Sequence, residues 1–398
     1  MKKTALLLPL LLAACASAPA SPAAPPTRGP TSTAAPMPCV VVHTPAASDE
    51  SWAAQFEGRA HTSGPADAPV TMVVFSDYQC EACAFMAATL KQLRLAHPDD
   101  LQLVYLQTPQ ADHDKGGLAI QAVEAAALQD MFWEMHDLLF EQQAEWLDLA
   151  PSQFVDWAAG QAAALGMDEA RFRMDFAGPA VAERLQQAVQ AIAGVEGLPL
   201  PLVYLNGEIP PLVDLGSLDA LVSMGALTAR QFSACPPWVI DPLRQYIVTL
   251  HTTAGDVLLE LYPDKVPLAV NSFVFLAQQG WFDGSTFFRV LPGLLAKTGD
   301  PSGTGLGNPG YYFETEAAAG LRFDQAGVVA MENTGVNTNG SQFFITYGPL
   351  PQLDGRFTII GRVLTGMDIL AALAARDPQP GTYLPPGEEL IRVTVEER

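Results

Sequence analysis

Basic residues are scarce in this chain of 398 residues: 21 lysines and arginines face 43 aspartates and glutamates, a formal net charge of −22 at pH 7. A surface of that sign repels phosphate backbones, which argues against nucleic acid as a partner and gives no basis for binding anionic lipid headgroups. Histidine is also rare, and the six present (His43, His61, His97, His113, His136, His251) are scattered without ligand spacing. Of the five cysteines, only Cys80 and Cys83 form a Cys-x-x-Cys pair. A structural zinc site draws on two such pairs, or on one pair with two histidines, so this pair lacks its other half and no metal or cofactor is expected. The apolar run Ala5 to Ala14 falls short of the about 20 residues that cross a bilayer. What is present is a hydrophobic content of 49%, ample for buried cores, in a chain whose length suits two domains.

Lys2 and Lys3 precede that run, which ends in Leu12-Ala13-Ala14-Cys15. The pattern resembles the bacterial lipoprotein signal: residues 1–14 would be removed and Cys15 acylated. Ordinary cleavage near Ala16-Ser17-Ala18 is the alternative, and either reading exports the protein to the cell envelope. More than one acyl chain gives a stable membrane anchor. Residues 15–54 are rich in Pro, Ala and Ser and read as a tether, because they offer little to fill a core. Ala16, which follows the lipid cysteine, is not acidic and would permit transfer to an outer membrane if the cell has one. Export also permits disulfides. With Cys15 on lipid and Cys80 and Cys83 as a pair, Cys39 and Cys235 remain and are expected to bond to each other; two unrelated thiols are the alternative.

Residues 55–230 form the first expected domain. Val70 to Phe75 is a continuous apolar run of the kind found in a strand buried on both faces, and "SDYQCEAC" follows it directly. The helical spacing of 84–93 then puts Cys80 at a helix N-terminus, where free N–H groups and the helix dipole favour a thiolate, the attacking species in disulfide exchange. Cys83, one turn further on, is placed to resolve the mixed disulfide. Further strands are expected at Leu101 to Leu106 and Leu202 to Leu205, the latter ending in the turn signal Asn206-Gly207, with several helices between about 118 and 193. His136 reads as a packing or surface residue. "FSDYQCEAC", "DMFWEMHDLLF" and "GVEGLPLPLVYLNGE", in that order, resemble the DsbA-like branch of the thioredoxin superfamily. The resemblance implies a thioredoxin-like α/β fold with an inserted helical subdomain, a redox-active Cys80–Cys83 disulfide, and a cis-proline facing the thiols. Pro201 and Pro199 compete for that place; Pro201 is chosen because it immediately precedes the strand. Glu81, between the cysteines, departs from the family's usual Pro or His and predicts a less oxidising pair.

Residues 231–243, with Cys235-Pro236-Pro237 and Asp241-Pro242, read as a stiff linker. Beyond it, residues 244–398 open with a hairpin around Ala254-Gly255 and a proline-started helix from Pro267, then short strands punctuated by glycine. "NSFVFLAQQGWFDGSTFFRVLPG", "TGDPSGTGLGNPGYYFETE", "NTNGSQFFITYG" and "LDGRFTIIGRV" resemble the cyclophilins throughout. That implies a closed eight-stranded antiparallel β-barrel with two capping helices and peptidyl-prolyl cis-trans isomerase activity. By the same resemblance Arg289 donates to the prolyl nitrogen; Phe344, Leu294, Leu295, Met331 and Leu353 line the proline pocket; Asn333 and Gln342 hold the peptide backbone. Departures from the family are Lys297 (usually glutamine), Glu332 (usually small), Gln352 (often aromatic), and Phe288 and Phe357 (often histidine). Lys297 should repel Arg289 unless Glu332 pairs with it. Together the two halves suggest a folding helper acting on unfolded, proline-containing chains with an unidentified redox partner, since disulfide exchange and prolyl isomerisation are both slow folding steps. A non-catalytic peptide-binding scaffold and a thiol reductase that recruits clients through the barrel are the alternatives.

Overall fold

Strand pairing begins before the first domain. The computed structural model describes residues 36–43, 55–56, 58–191, 198–379 and 381–398, so Cys15, the signal at 1–14 and the Gly-Val-Glu-Gly stretch at 194–197 lie outside the described residues. Residues 36–43, assigned to the tether from composition, are instead docked on the second domain. Strand β1 (Val40–Val41) pairs with Tyr311–Tyr312, and Met37 is buried in the second core. The backbone donors of an extended, proline-flanked segment find partners there that water would otherwise supply.

The first domain has a four-stranded sheet in the order β2 (His61–Ser63), β4, β3 (Val70–Ser76), β5. Helix α1 (Glu81–Ala96) follows β3, and β4 (Leu101–Gln107) lies parallel to β3. Six helices come next: α2 (Gly116–Ala127), α3 (Phe132–Glu141), α4 (Gln143–Trp146), α5 (Pro151–Ala164), α6 (Glu169–Phe176) and α7 (Pro179–Ala191). Strand β5 (Leu202–Leu205) returns antiparallel to β3 and turns through Asn206 and Gly207, both at positive φ. The continuous apolar runs are explained by burial on both faces: Val70, Met72 and Val74 enter the helix-covered core, while Val73 and Phe75 pack with Val104, Leu106 and Leu202 on the other side.

Helix α8 (Leu215–Arg230) belongs to both domains. Leu218 and Val222 are buried in the first core and Leu227 in the second. At 1.5 Å per residue, Leu218 and Leu227 sit about 13 Å apart along the axis, enough to enter two cores. The segment read as a linker is likewise part of the second domain, with Phe232, Trp238, Val239 and Ile240 packed against its core.

The second domain is built from β6 (Tyr246–Thr252), β7 (Gly255–Leu261), α9 (Pro267–Gln278), β8 (Ser285–Thr286), β9 (Arg289–Leu291), β10 (Leu295–Thr298), β11 (Tyr311–Tyr312), β12 (Val328–Met331), β13 (Phe343–Thr346), β14 (Ile359–Thr365), α10 (Met367–Ala371) and β15 (Glu389–Glu397). Nine strands form one curled antiparallel sheet in the order β8-β15-β6-β7-β14-β12-β13-β10-β9. The two-domain architecture and the curled antiparallel sheet are as expected, while a closed eight-stranded barrel is not shown among the described residues. The end strands β8 and β9 are consecutive in the chain, and the buried Phe287 and Phe288 run between them in place of a hydrogen-bond ladder. Of the two expected capping helices, α9 is full length, while α10 has only 5 residues. No helix of the described residues is long and apolar enough to cross a membrane.

Candidate functional sites

The end of β3 sets the thiol site. Asp77 is buried; its Oδ1 accepts from Gln79 N (2.7 Å), its Oδ2 accepts from Gln110 N (2.7 Å), and His113 Nδ1 lies 2.9 Å away. That clamp turns the chain into α1 with Cys80 as the N-cap residue. Cys83 N donates to Cys80 Sγ at 3.2 Å, the interaction that a helix N-terminus offers an anionic cap. Cys80 is half-buried and Cys83 fully buried. Both are free thiols in this structure. Burial pushes the Cys83 thiol up to about 12, with the Cys80 side chain adding to the rise. Glu81 is exposed, pointing its charge to solvent. The Leu200–Pro201 bond is cis, and Cys80 Sγ lies 3.8 Å from Leu200 O. Gln143, from the helical insertion, donates to Tyr78 O (2.8 Å) and Cys80 O (3.1 Å).

His113 and Gln143 escaped the sequence reading because they come from distant segments, whereas Asp77 lies only three positions before Cys80. His136 is buried beneath this site among Tyr78, Tyr105, Phe132, Trp133 and Phe140. Burial lowers its pKa, while its Nδ1 lies 3.0 Å from Asp137 Oδ1. Among the described residues no group of three or more His, Cys, Asp or Glu side chains could hold a metal. Cys39 and Cys235 are joined by a disulfide, with Cα atoms 5.7 Å apart.

In the second domain, register brings the other candidates into one row. Lys297 is opposite Arg289 on one side and Phe344 on the other, and Phe344 is opposite Ala330. Residues directly opposite share a face of the sheet, so these four side chains lie together, with Leu295 two positions from Lys297. Beneath them is an apolar cluster of Leu295, Phe323, Val328, Ala330, Phe344, Leu350 and Ile359, with Leu353 and Phe357 against it. Phe344 stacks on Phe323 at 5.8 Å and meets Phe357 edge-on at 5.3 Å, so Phe357, read as a departure, is part of the floor.

One expected pocket residue needs correcting. Met331 is opposite Phe343 and is buried in the inner core, on the opposite face, because side chains alternate along β12. Leu294 sits exposed at the turn between β9 and β10, next to Leu295 of the cluster. Ala330 and Phe323 occupy the cluster in place of Met331. Asn333 Nδ2 donates to Arg356 O (3.3 Å) and Asn339 Oδ1 (3.4 Å), and Gln342 Nε2 donates to Gly307 O (2.8 Å). Both cations of the row have a carboxylate. Lys297 Nζ is 2.6 Å from Glu332 Oε2, and Arg289 Nε is 2.8 Å from Asp377 Oδ1. Asp377 had no local signal, since it lies on the loop before β15.

Residues 247–389 match the family model described as cyclophilin type peptidyl-prolyl cis-trans isomerase/CLD. The peptidyl-prolyl cis-trans isomerase cypE of Dictyostelium discoideum is 43% identical over 136 residues, covering 33% of this chain and 87% of that protein. The chain belongs to the cyclophilin family. The cyclophilin domain is also 45% identical over 123 residues to peptidyl-prolyl cis-trans isomerase-like 1 of Gibberella zeae, covering 30% of this chain and 76% of that protein. A crystal structure of a Cryptosporidium parvum cyclophilin type isomerase, in the presence of dipeptide Ala-Pro, aligns with 30% identity, 38% of this chain, 98% of that chain and a TM-score of 0.34. Residues 57–212, ahead of the cyclophilin domain, match the Thioredoxin family model.

Proposed function

We propose that this protein is an exported, lipid-tethered folding catalyst that isomerises X-Pro bonds in its cyclophilin domain and exchanges disulfides through Cys80 and Cys83 in a DsbA-like domain. The observation that carries the reading is that one chain combines the Arg289–Lys297–Phe344 row over its apolar floor with a half-exposed cysteine capping a helix above a buried one.

The X-Pro bond resists rotation by roughly 20 kcal/mol because the nitrogen lone pair is delocalised. Holding the proline ring on the Phe344 floor while Arg289 donates to the prolyl nitrogen as it pyramidalises favours the twisted state over the planar one. With Asp377 on the Nε side, the two Nη groups of Arg289 remain to meet the substrate. In the thiol domain, the Cys80 thiolate attacks a client disulfide, forming a mixed disulfide and releasing one client thiolate. Cys83 loses its proton and attacks the Cys80 sulfur, the second client thiolate leaves, and the Cys80–Cys83 disulfide forms; run in reverse, the same steps oxidise a client. The lipoprotein pattern ending at Cys15 is what supports export and anchoring in a bacterial envelope.

The test uses the full chain in two assays, prolyl-peptide isomerisation and insulin reduction. Arg289→Ala is expected to lose most of the first and keep the second, and Cys80→Ser the reverse; wild-type inactivity in either assay removes that half of the proposal. Palmitate labelling that is lost in Cys15→Ala tests the anchor. A second reading, a peptide-binding scaffold without turnover, draws on the carboxylate held against Arg289 Nε. It predicts client binding with no isomerisation in either the wild type or Arg289→Ala.

A further inference from the structure

Two loops that border the isomerase site are supported by residues that precede the stretch matched by the cyclophilin family model. The first runs from Asp300 to Gly310. Its backbone is gathered on the fully buried Asp300 carboxylate, which accepts from Ser302 N (2.9 Å), Gly305 N (2.8 Å) and Gly307 N (2.9 Å). Gly307 O is the acceptor that orients the Gln342 amide. Behind this loop stands Leu227 of α8, so close that a Cβ on Gly307 would lie 2.6 Å from its Cδ2. The residues that follow α8 continue the support. Gln231 Nε2 donates to Asn308 O (3.1 Å) and Asn308 Oδ1 (3.2 Å), and Phe232 N donates to Pro309 O (2.9 Å). The second loop carries Asp377, which holds Arg289, and goes on to 381–383. There the backbone lies 2.9 Å from where a Cβ on Gly216, near the start of α8, would be.

One helix, shared by the two cores, therefore touches both loops, one near each of its ends. A side-chain amide has two different faces, and only a fixed backbone carbonyl sets which one meets the substrate. A displacement of about 1 Å in a positioning group can lower turnover by up to about a hundredfold.

We propose that α8 and the residues directly after it position the prolyl-isomerase site, with Leu227 and Gln231 acting as positioning residues through the Asp300–Gly310 loop. The inference rests on the isomerase reading above and adds to it a dependence on the helix that the two cores share. Arg230 supplies the control: it lies on the same helix and the same interface, but its Nη2 reaches Gly280 O (3.4 Å) and Trp281 O (3.2 Å), away from both loops.

The experiment compares full-length Gln231→Ala, Leu227→Ala, Leu227→Met and Arg230→Ala with the wild type. It measures kcat/KM and KM for a prolyl peptide by exchange NMR, and amide hydrogen exchange at Gly305 and Gly307. Gln231→Ala is expected to lower kcat/KM about fivefold and Leu227→Ala about tenfold, mainly through kcat, with faster exchange at both glycines. Leu227→Met, which refills the space, should return to within about twofold of wild type, and Arg230→Ala should stay within about twofold. If Leu227→Ala does not fold, the half-buried polar Gln231 decides alone. Unchanged kcat/KM in Gln231→Ala, or an equal loss in Arg230→Ala, overturns the positioning role while leaving the isomerase reading intact. A wild type without turnover overturns the isomerase reading, and this inference with it.

Discussion

Replacing Glu332 by glutamine removes the carboxylate that faces Lys297 across 2.6 Å, with both side chains only 17% exposed. At an effective dielectric of about 20, the attraction is about 6 kcal/mol, and desolvation of the two ions offsets most of it. The net coupling is expected at about 1–3 kcal/mol. Glu332→Gln alone leaves an unpaired cation directly opposite Arg289 in the strand register, so it should destabilise the cyclophilin domain by about 2 kcal/mol and lower isomerase turnover. Lys297→Gln restores the family's usual residue, but it should not raise turnover, because the positive charge it removes is already matched. The double variant Lys297→Gln/Glu332→Gln should recover most of the stability. Urea unfolding of the four chains closes a double-mutant cycle, and prolyl-peptide turnover is read on the same samples. A coupling below about 0.3 kcal/mol, or a Lys297→Gln chain faster than wild type, would refute the claim that the pair neutralises the row.

Removing the Cys39–Cys235 disulfide with a double alanine variant frees a strap that closes a span of 196 residues. Chain entropy for a loop of that size sets a ceiling of about 5 kcal/mol, and a loss of about 2–5 kcal/mol in urea unfolding is expected; an unchanged midpoint would show that β1 and Met37 hold the strap unaided. Buried His136 has its pKa lowered in the fold, so protonation favours the unfolded chain: stability is complete above the unfolded value near 6.5 and falls as pH drops through it. His136→Phe, placed among aromatic rings, should flatten that acid-side fall, and a thermal-melt profile with the same slope below pH 6.5 in both proteins would contradict the assignment.

Much of the architecture was legible because local pattern carried it. The apolar run 70–75 could be buried on both faces only as an internal strand, Pro267 opened a helix, and Asn206-Gly207 took the positive φ of a turn. Reading Met331 as a pocket residue failed for a definable reason. Which face of the sheet a β12 side chain joins depends on register with β13, and a one-residue difference exchanges the inner core for the proline floor. The assignment of residues 36–43 to a tether failed because composition reports what a segment lacks, and says nothing of unpaired strand edges elsewhere that can capture it.

The cysteine spacing, the order of the two domains and the arginine in its strand are properties of the linear chain, and the sequence alone determined them. Interactions between distant segments were decided only by the tertiary structure: Asp377 against Arg289, Gln143 over the Cys80 turn, and a single helix shared by two cores. Side-chain chemistry is written residue by residue, but a charge finds its partner only when folding brings remote backbone within a few ångströms, and no local pattern encodes that distance.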